Sequence, residues 1–233
     1  YGVNEWSQAD LMKLLNPGYE SETVGGSLYW NNKQGTCYSG LNSEAEACNF
    51  TSTGIKEKLK NMLGNAVWNI GTSGTIDWTS NSGGLAKHFY TYERSTNTGK
   101  MCSSVNYCND TVERKTTWTG KVGLMYPSDY GYATSGGSTT DRATCLNTSL
   151  SSWSSSSVSD CKNNDWLFND NFQWTISPDA YSAYASRVFI LVDNVDSDDA
   201  YDLLSVRPVG YLLPSVVIQS GDGSSGNPFT LKS

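Results

Sequence analysis

Six cysteines, at positions 37, 48, 102, 108, 145 and 161, constrain this chain of 233 residues more than any other feature. They fall into three close pairs, Cys37/Cys48, Cys102/Cys108 and Cys145/Cys161. Six cysteines allow about fifteen pairings. The sequential local scheme is preferred because each pair brackets a loop rich in Gly, Ser or Asn. Each bridge would close a short loop and stabilise by roughly 2–3 kcal/mol in the chain-entropy view. A metal site would need C-x-x-C spacing, and none occurs. Three local staples therefore predict an oxidising location, extracellular or at the cell surface after export.

The remaining composition narrows the function classes. The net charge is −7, with 16 Lys+Arg against 23 Asp+Glu, so no basic face for nucleic acid is expected. No run approaches the ~18 apolar residues that span a bilayer, so the segment carries no membrane span. Eight Trp and fourteen Tyr argue for a packed core rather than disorder. The chain opens Tyr1-Gly2-Val3-Asn4 without Met and reads as a processed or excised segment from which an export signal is gone. A single histidine, His88, would have to serve any Ser-His-Asp or Cys-His catalysis. No G-x-S-x-G elbow places a nucleophile for it.

Patterning predicts α+β. A first helix runs through Leu11, Leu14 and Leu15, with Ser7 as its cap and Asn16-Pro17-Gly18 as its stop. A second follows Ile55, Leu59, Met62 and Leu63 and continues toward Val67 and Trp68. Short strands are expected at 27–30, 86–94 and 118–125, and a short helix capped by Ser128 at 127–133. The serine tract 151–157 reads as a stapled surface loop. The C-terminal part predicts a mostly antiparallel sheet through 172–176, 188–192, 205–212, 216–219 and 229–231, with a turn at Gly221-Asp222-Gly223. No repeat or composition shift divides the chain, so one disulfide-stapled domain over 1–233 is expected.

Several segments together resemble exported surface proteins of gut Firmicutes. They are Trp6-Ser7-Gln8-Ala9-Asp10-Leu11-Met12, Ser27-Leu28-Tyr29-Trp30, Gly35-Thr36-Cys37-Tyr38 and Val67-Trp68-Asn69, then the whole of 118–133, Asn164-Asp165-Trp166-Leu167 and Val206-Arg207-Pro208-Val209. That resemblance implies a membrane segment upstream and carries no biochemical assignment. A more distant resemblance is to the C-type-lectin-like superfold of formylglycine-generating, sulfatase-modifying domains. It rests on Pro127-Ser128-Asp129-Tyr130-Gly131-Tyr132-Ala133 and on Val206-Arg207-Pro208-Val209. The enzymes of that superfold use cysteines late in the chain. None follows Cys161, so their catalysis does not carry over.

Two sets of candidate site residues stand out. Trp153, Tyr130, Tyr132, Trp166 and Trp174 could form a platform for sugar rings, with Trp153 expected to be exposed inside its serine loop. The competing reading is that most tryptophans are simply core. Asp193, Asp196, Asp198, Asp199 and Asp202 could supply oxygens to calcium, but the run lacks the central Gly and final Glu of an EF-hand. Otherwise it is a solvated acidic hairpin, and no other cofactor is indicated. The function expected is a non-catalytic recognition or adhesion domain of a bacterial surface protein, with a glycan or a host or cell-surface protein as partner. The alternatives are a pilin-like subunit packing against copies of itself, and a secreted hydrolase using carboxylates.

Overall fold

The computed structural model describes residues 3–39, 44–71, 78–96, 115–179, 187–191, 193–224 and 226–232. Two of the three predicted bridges are present, Cys37–Cys48 and Cys145–Cys161. The third expected pair, Cys102 with Cys108, lies outside the described residues. Among the described residues the two expected local staples are therefore the disulfides present. The architecture mixes helix with antiparallel strand pairs, as the patterning predicts. No helix among the described residues is long and apolar enough to cross a membrane.

The chain enters through a 3₁₀ turn at Trp6–Gln8 and helix α1 (Asp10–Leu15). Ser7 is not the cap. Its N–H and hydroxyl both donate to the Glu5 carboxylate, which caps the 3₁₀ turn, while α1 begins after Ala9 without a side-chain cap. Asn16 ends α1 and does more than stop it. Its buried amide donates to the carbonyls of Met12 and Val122 and accepts from the N–H groups of Lys121 and Val122. One side chain thus fastens α1 to a segment over 100 residues away.

The predicted strand at 27–30 is a turn instead. Ser27 and Asn32 have φ of 55° and 54°, in the left-handed region that no strand adopts. The Ser27 hydroxyl donates to the Asn16 carbonyl and accepts from the Tyr19 N–H, which fixes that turn under α1. A hairpin of β1 (Gln34–Tyr38) and β2 (Ala45–Asn49) follows, with Cys48 opposite Gly35 and Cys37 opposite Glu46.

The second helix is only one turn, α2 (Glu57–Lys60). Val67 and Trp68 do not extend it. They lie in β3 (Ala66–Asn69), where aromatic and β-branched residues suit a strand. The expected strand at 86–94 is helix α3 (Ala86–Glu93). Its buried residues, Ala86, Phe89, Tyr92 and Glu93, recur at helical spacing. Then come β4 (Thr117–Gly120), β5 (Val122–Gly123) and α4 (Pro127–Ala133). β3 pairs with β4 and sets Trp68 opposite Trp118.

The serine-rich region is not an open loop. It folds into α5 (Arg142–Leu146), 3₁₀ turns at Leu150–Ser152 and Ser156–Val158, and α6 (Ser159–Asn163). Cys145 on α5 bridges to Cys161 on α6. Asp160 accepts from the backbone N–H groups of Thr139 and Thr140 and from the Thr139 hydroxyl, closing the same layer.

Strands β6 (Gln173–Pro178), β7 (Arg187–Leu191) and β8 (Val195–Asp199) form one antiparallel sheet. The remaining predicted strands do not join it. β9 (Val209–Gly210) pairs with β5, and β10 (Val217–Ser220) with β11 (Thr230–Lys232) makes a separate hairpin.

Two apolar clusters fill the interior. One gathers Trp6, Met12, Leu15, Trp68, Leu124 and Trp174, among others. The second gathers Phe89, Met125, Tyr130, Leu150, Trp153 and Val195 around the Cys145–Cys161 bridge. Neighbours Leu124 and Met125 enter different clusters, and Val209 packs against both. Trp153 is wholly buried, its ring 5.2 Å from that of Tyr130, so it is not the exposed platform residue expected. The serines that make its segment look like surface are used in 3₁₀ turns, and the indole fills the space between α5 and α6. Trp153→Ala should therefore cost about 3–5 kcal/mol of unfolding free energy by chemical denaturation. Trp166→Ala should change it by less than ~0.5 kcal/mol.

Candidate groove beside helix α4

Helix α4 is held at both ends. At its start the buried Glu93 carboxyl, from the end of α3, accepts from the Ser128 N–H at 2.9 Å and from the Ser128 hydroxyl at 2.6 Å. An acidic group there meets free N–H groups and the positive end of the helix dipole. Ser128 is thus a donor to Glu93, not the cap expected. The Asp129 carboxylate turns back to accept from the Tyr126 N–H. At the other end Arg142 donates to the carbonyls of Tyr132 and Thr134, where a cation suits the helix terminus. Gly131 makes close docking possible. A Cβ there would lie 2.5 Å from that of Ala86 on α3 and 3.0 Å from Leu150.

Two further segments are tied to this helix. The chain leaving α4 pairs with the segment after α6, through Thr134 opposite Asp165 and the Ser135 N–H donating to the Asn164 carbonyl. Asp165 is buried, and its Oδ1 accepts from the Leu167 N–H. Arg207 then donates from Nη1 to the Leu167 carbonyl at 3.0 Å, bringing the late Val206-Arg207-Pro208-Val209 segment alongside.

These three segments enclose a groove of about 470 Å³. Its walls are Met125, Asp129, Tyr132 and Ala133 from the α4 side, Trp166 and Leu167 from the middle segment, and Arg207, Pro208 and Val209. Trp166 is 76% exposed and Tyr132 is also exposed. The floor is apolar and the polar groups are few, the usual make-up of a small-ligand site. A smaller crevice of about 190 Å³ lies between α1, Cys37, Trp174 and residues 200–203.

Of the five aromatic residues singled out from the sequence, Tyr132 and Trp166 line the groove and the other three do not. Tyr130 and Trp153 are in the second apolar cluster, and Trp174 is a buried β6 residue. Sequence reasoning missed Arg207 and Asp129 as groove residues. Both stand inside segments that the pattern marks, but nothing in either segment says which of its side chains faces a groove.

The five aspartates do not converge. Asp193 pairs with Lys162 at 3.1 Å. Asp196 and Asp198 accept from the N–H groups of the residues that follow them, and Asp199 accepts from the Tyr201 hydroxyl. Desolvation, and then the neighbouring Asp198, push the Asp202 carboxyl up. Asp196, Asp198 and Asp199 lie in strand β8, where successive side chains alternate between faces, while Asp193 precedes the strand and Asp202 follows it. Among the described residues no group of three or more His, Cys, Asp or Glu side chains is placed to share a metal. His88 sits on α3 with its ring 6.4 Å from that of Tyr92, and its buried Nδ1 has no hydrogen-bond partner among the described residues.

No family model, no curated protein and no solved structure matches this chain.

Two buried carboxyls near the groove dominate the pH response. Burial pushes Glu93 up to about 7 despite the Ser128 hydrogen bonds and Arg94, and burial pushes Asp165 up to about 7 despite the Leu167 N–H. Their usual values are 4.5 and 3.8. The folded chain therefore holds protons that the unfolded chain has released. The stabilisation these protons bring is whole below about pH 4 and is lost as pH rises toward 7. Urea midpoints should fall across that window. Glu93→Gln and Asp165→Asn should each flatten the fall.

Proposed function

We propose that this domain is a non-catalytic extracellular recognition module that binds carbohydrate in the groove beside α4. The observation that carries this reading is Trp166, 76% exposed at the rim of a groove it shares with Tyr132 and Arg207. Leaving a large apolar side chain in water forgoes roughly 1.5–3 kcal/mol of burial. A sugar ring suits that surface: its C–H face packs on an aromatic plane, and its hydroxyl edge meets polar groups.

The two disulfides point to an oxidising, non-cytoplasmic environment. Export to a cell surface and a C-type-lectin-like architecture belong to the same proposal. The resemblance of 118–133 and 206–209 to those proteins supports them, and both segments contribute to the groove.

The test is binding of the purified domain to immobilised glycans, followed by titration of the hits with intrinsic tryptophan fluorescence. Trp166→Ala should weaken binding at least tenfold, and Tyr132→Ala by less, with the melting temperature unchanged in both. A domain that binds no glycan, or binds equally well as Trp166→Ala, refutes the reading.

A second reading, a structural subunit packing against copies of itself, is favoured by a different surface. Leu203, Tyr211, Val217, Ile218 and Phe229 are all exposed along the last thirty or so residues. Exposed apolar side chains carried together on one segment suit an association surface. Sedimentation should then show concentration-dependent assembly that Val217→Lys with Ile218→Lys abolishes. A monomer at all concentrations removes this reading.

A further inference from the structure

We infer that the groove's ligand is a sugar bearing a carboxylate, and that Arg207 is the residue that anchors the acid group. The inference rests on the carbohydrate reading above and adds its charge.

Arg207 is half-buried, and among the described residues one of its hydrogen-bond donors is used, by the Leu167 carbonyl. An arginine carries about five N–H donors in a rigid fork that matches a carboxylate in two parallel hydrogen bonds. Among the described residues Arg207 forms no ion pair, although carboxylates outnumber cations in a chain of net charge −7. Elsewhere Lys13 pairs with Asp10 and Glu22, Lys60 with Glu57, Arg94 with Glu93 and Lys162 with Asp193. The carboxyl beside this partly desolvated guanidinium is Asp165, which burial pushes toward its neutral form, so the cation keeps charge for an incoming carboxylate to meet.

The position of the cation also fits. The carbonyl that orients the guanidinium belongs to Leu167, one residue from the Trp166 platform. Trp166 and Arg207 line the same groove, so a pyranose stacked on the indole shares that groove with the guanidinium. Because the fork is already held by Leu167, little side-chain freedom is lost on binding.

Two carboxyls limit how much negative charge the groove accepts. Asp129 lines it, and desolvation pushes its carboxyl above the usual range. Asp165 lies close enough to Arg207 to be pulled down by its charge, although burial outweighs that pull. A densely sulfated polymer would meet both repulsions. A sugar with one carboxylate need meet only the guanidinium. Uronic acids and sialic acids share that chemistry.

The experiment titrates wild type, Arg207→Gln, Arg207→Lys and Trp166→Ala with matched pairs. One pair is digalacturonic acid and its methyl ester; the other is sialyllactose and lactose. The expected result is at least tenfold tighter binding of the acid than of its neutral partner in one pair, which also separates the two sources. Arg207→Gln should reduce the acid to the affinity of the neutral form. Arg207→Lys, which keeps the charge but not the fork, should fall between, and it preserves the test if Arg207→Gln fails to fold. Trp166→Ala should abolish binding of both members. Equal affinity for acid and neutral sugar, unchanged in Arg207→Gln, overturns the acid inference and leaves the carbohydrate reading standing. If no sugar binds wild type, or if only an acidic peptide does, both fall.

Discussion

The Glu93 carboxyl is the contact on which the geometry of the groove depends. It is almost wholly buried at the end of α3 and takes both the N–H and the hydroxyl of Ser128 at the start of α4. Two helices meet there through an acidic group and a helix end rather than through apolar packing alone. Gly131 lets the same two helices close to near contact one turn later. Tyr132 then projects from the last turn of α4, with Arg142 holding the carbonyls behind it. Loss of the Glu93 contact would release α4 at its start, and the α4 wall of the groove would move with it.

A comparable polar anchor holds the first apolar cluster. Asn16 satisfies two carbonyls and two N–H groups with one buried amide, joining α1 to β5. Buried polar groups of this kind offset their desolvation only when every partner is in place. They select one arrangement of the surrounding segments, and here that arrangement brings β5 to pair with β9, two residues past Arg207.

The parts legible in the sequence were those written in local pattern. The bridges Cys37–Cys48 and Cys145–Cys161, the short helix at 127–133, and the strands at the start of the C-terminal sheet follow from spacing and alternation. The same spacing argument extends to Cys102 and Cys108, which fall outside the described residues. The misreadings have physical causes. At 27–30 the run of apolar residues outweighed Ser27, whose left-handed backbone is set by the tertiary contact with Asn16. At 86–94 the neighbouring aromatics read as strand, while the burial of Ala86, Phe89 and Tyr92 follows a helix. Trp153 was hidden by its serines. The groove was half-legible, because Tyr132 and Trp166 stand out in the sequence but Arg207 gains meaning only once Leu167 is seen to hold it.

The groove is assembled from pieces drawn from 125–133, 166–167 and 207–209, none of which touches another without the intervening chain being folded. Closing such long loops is the slow part of folding, because their entropy is lost before the compensating contacts form. During synthesis the site cannot exist until the residues around 209 have emerged and β9 has found β5. On the carbohydrate reading proposed above, a chain that stops short of residue 209 would bind nothing.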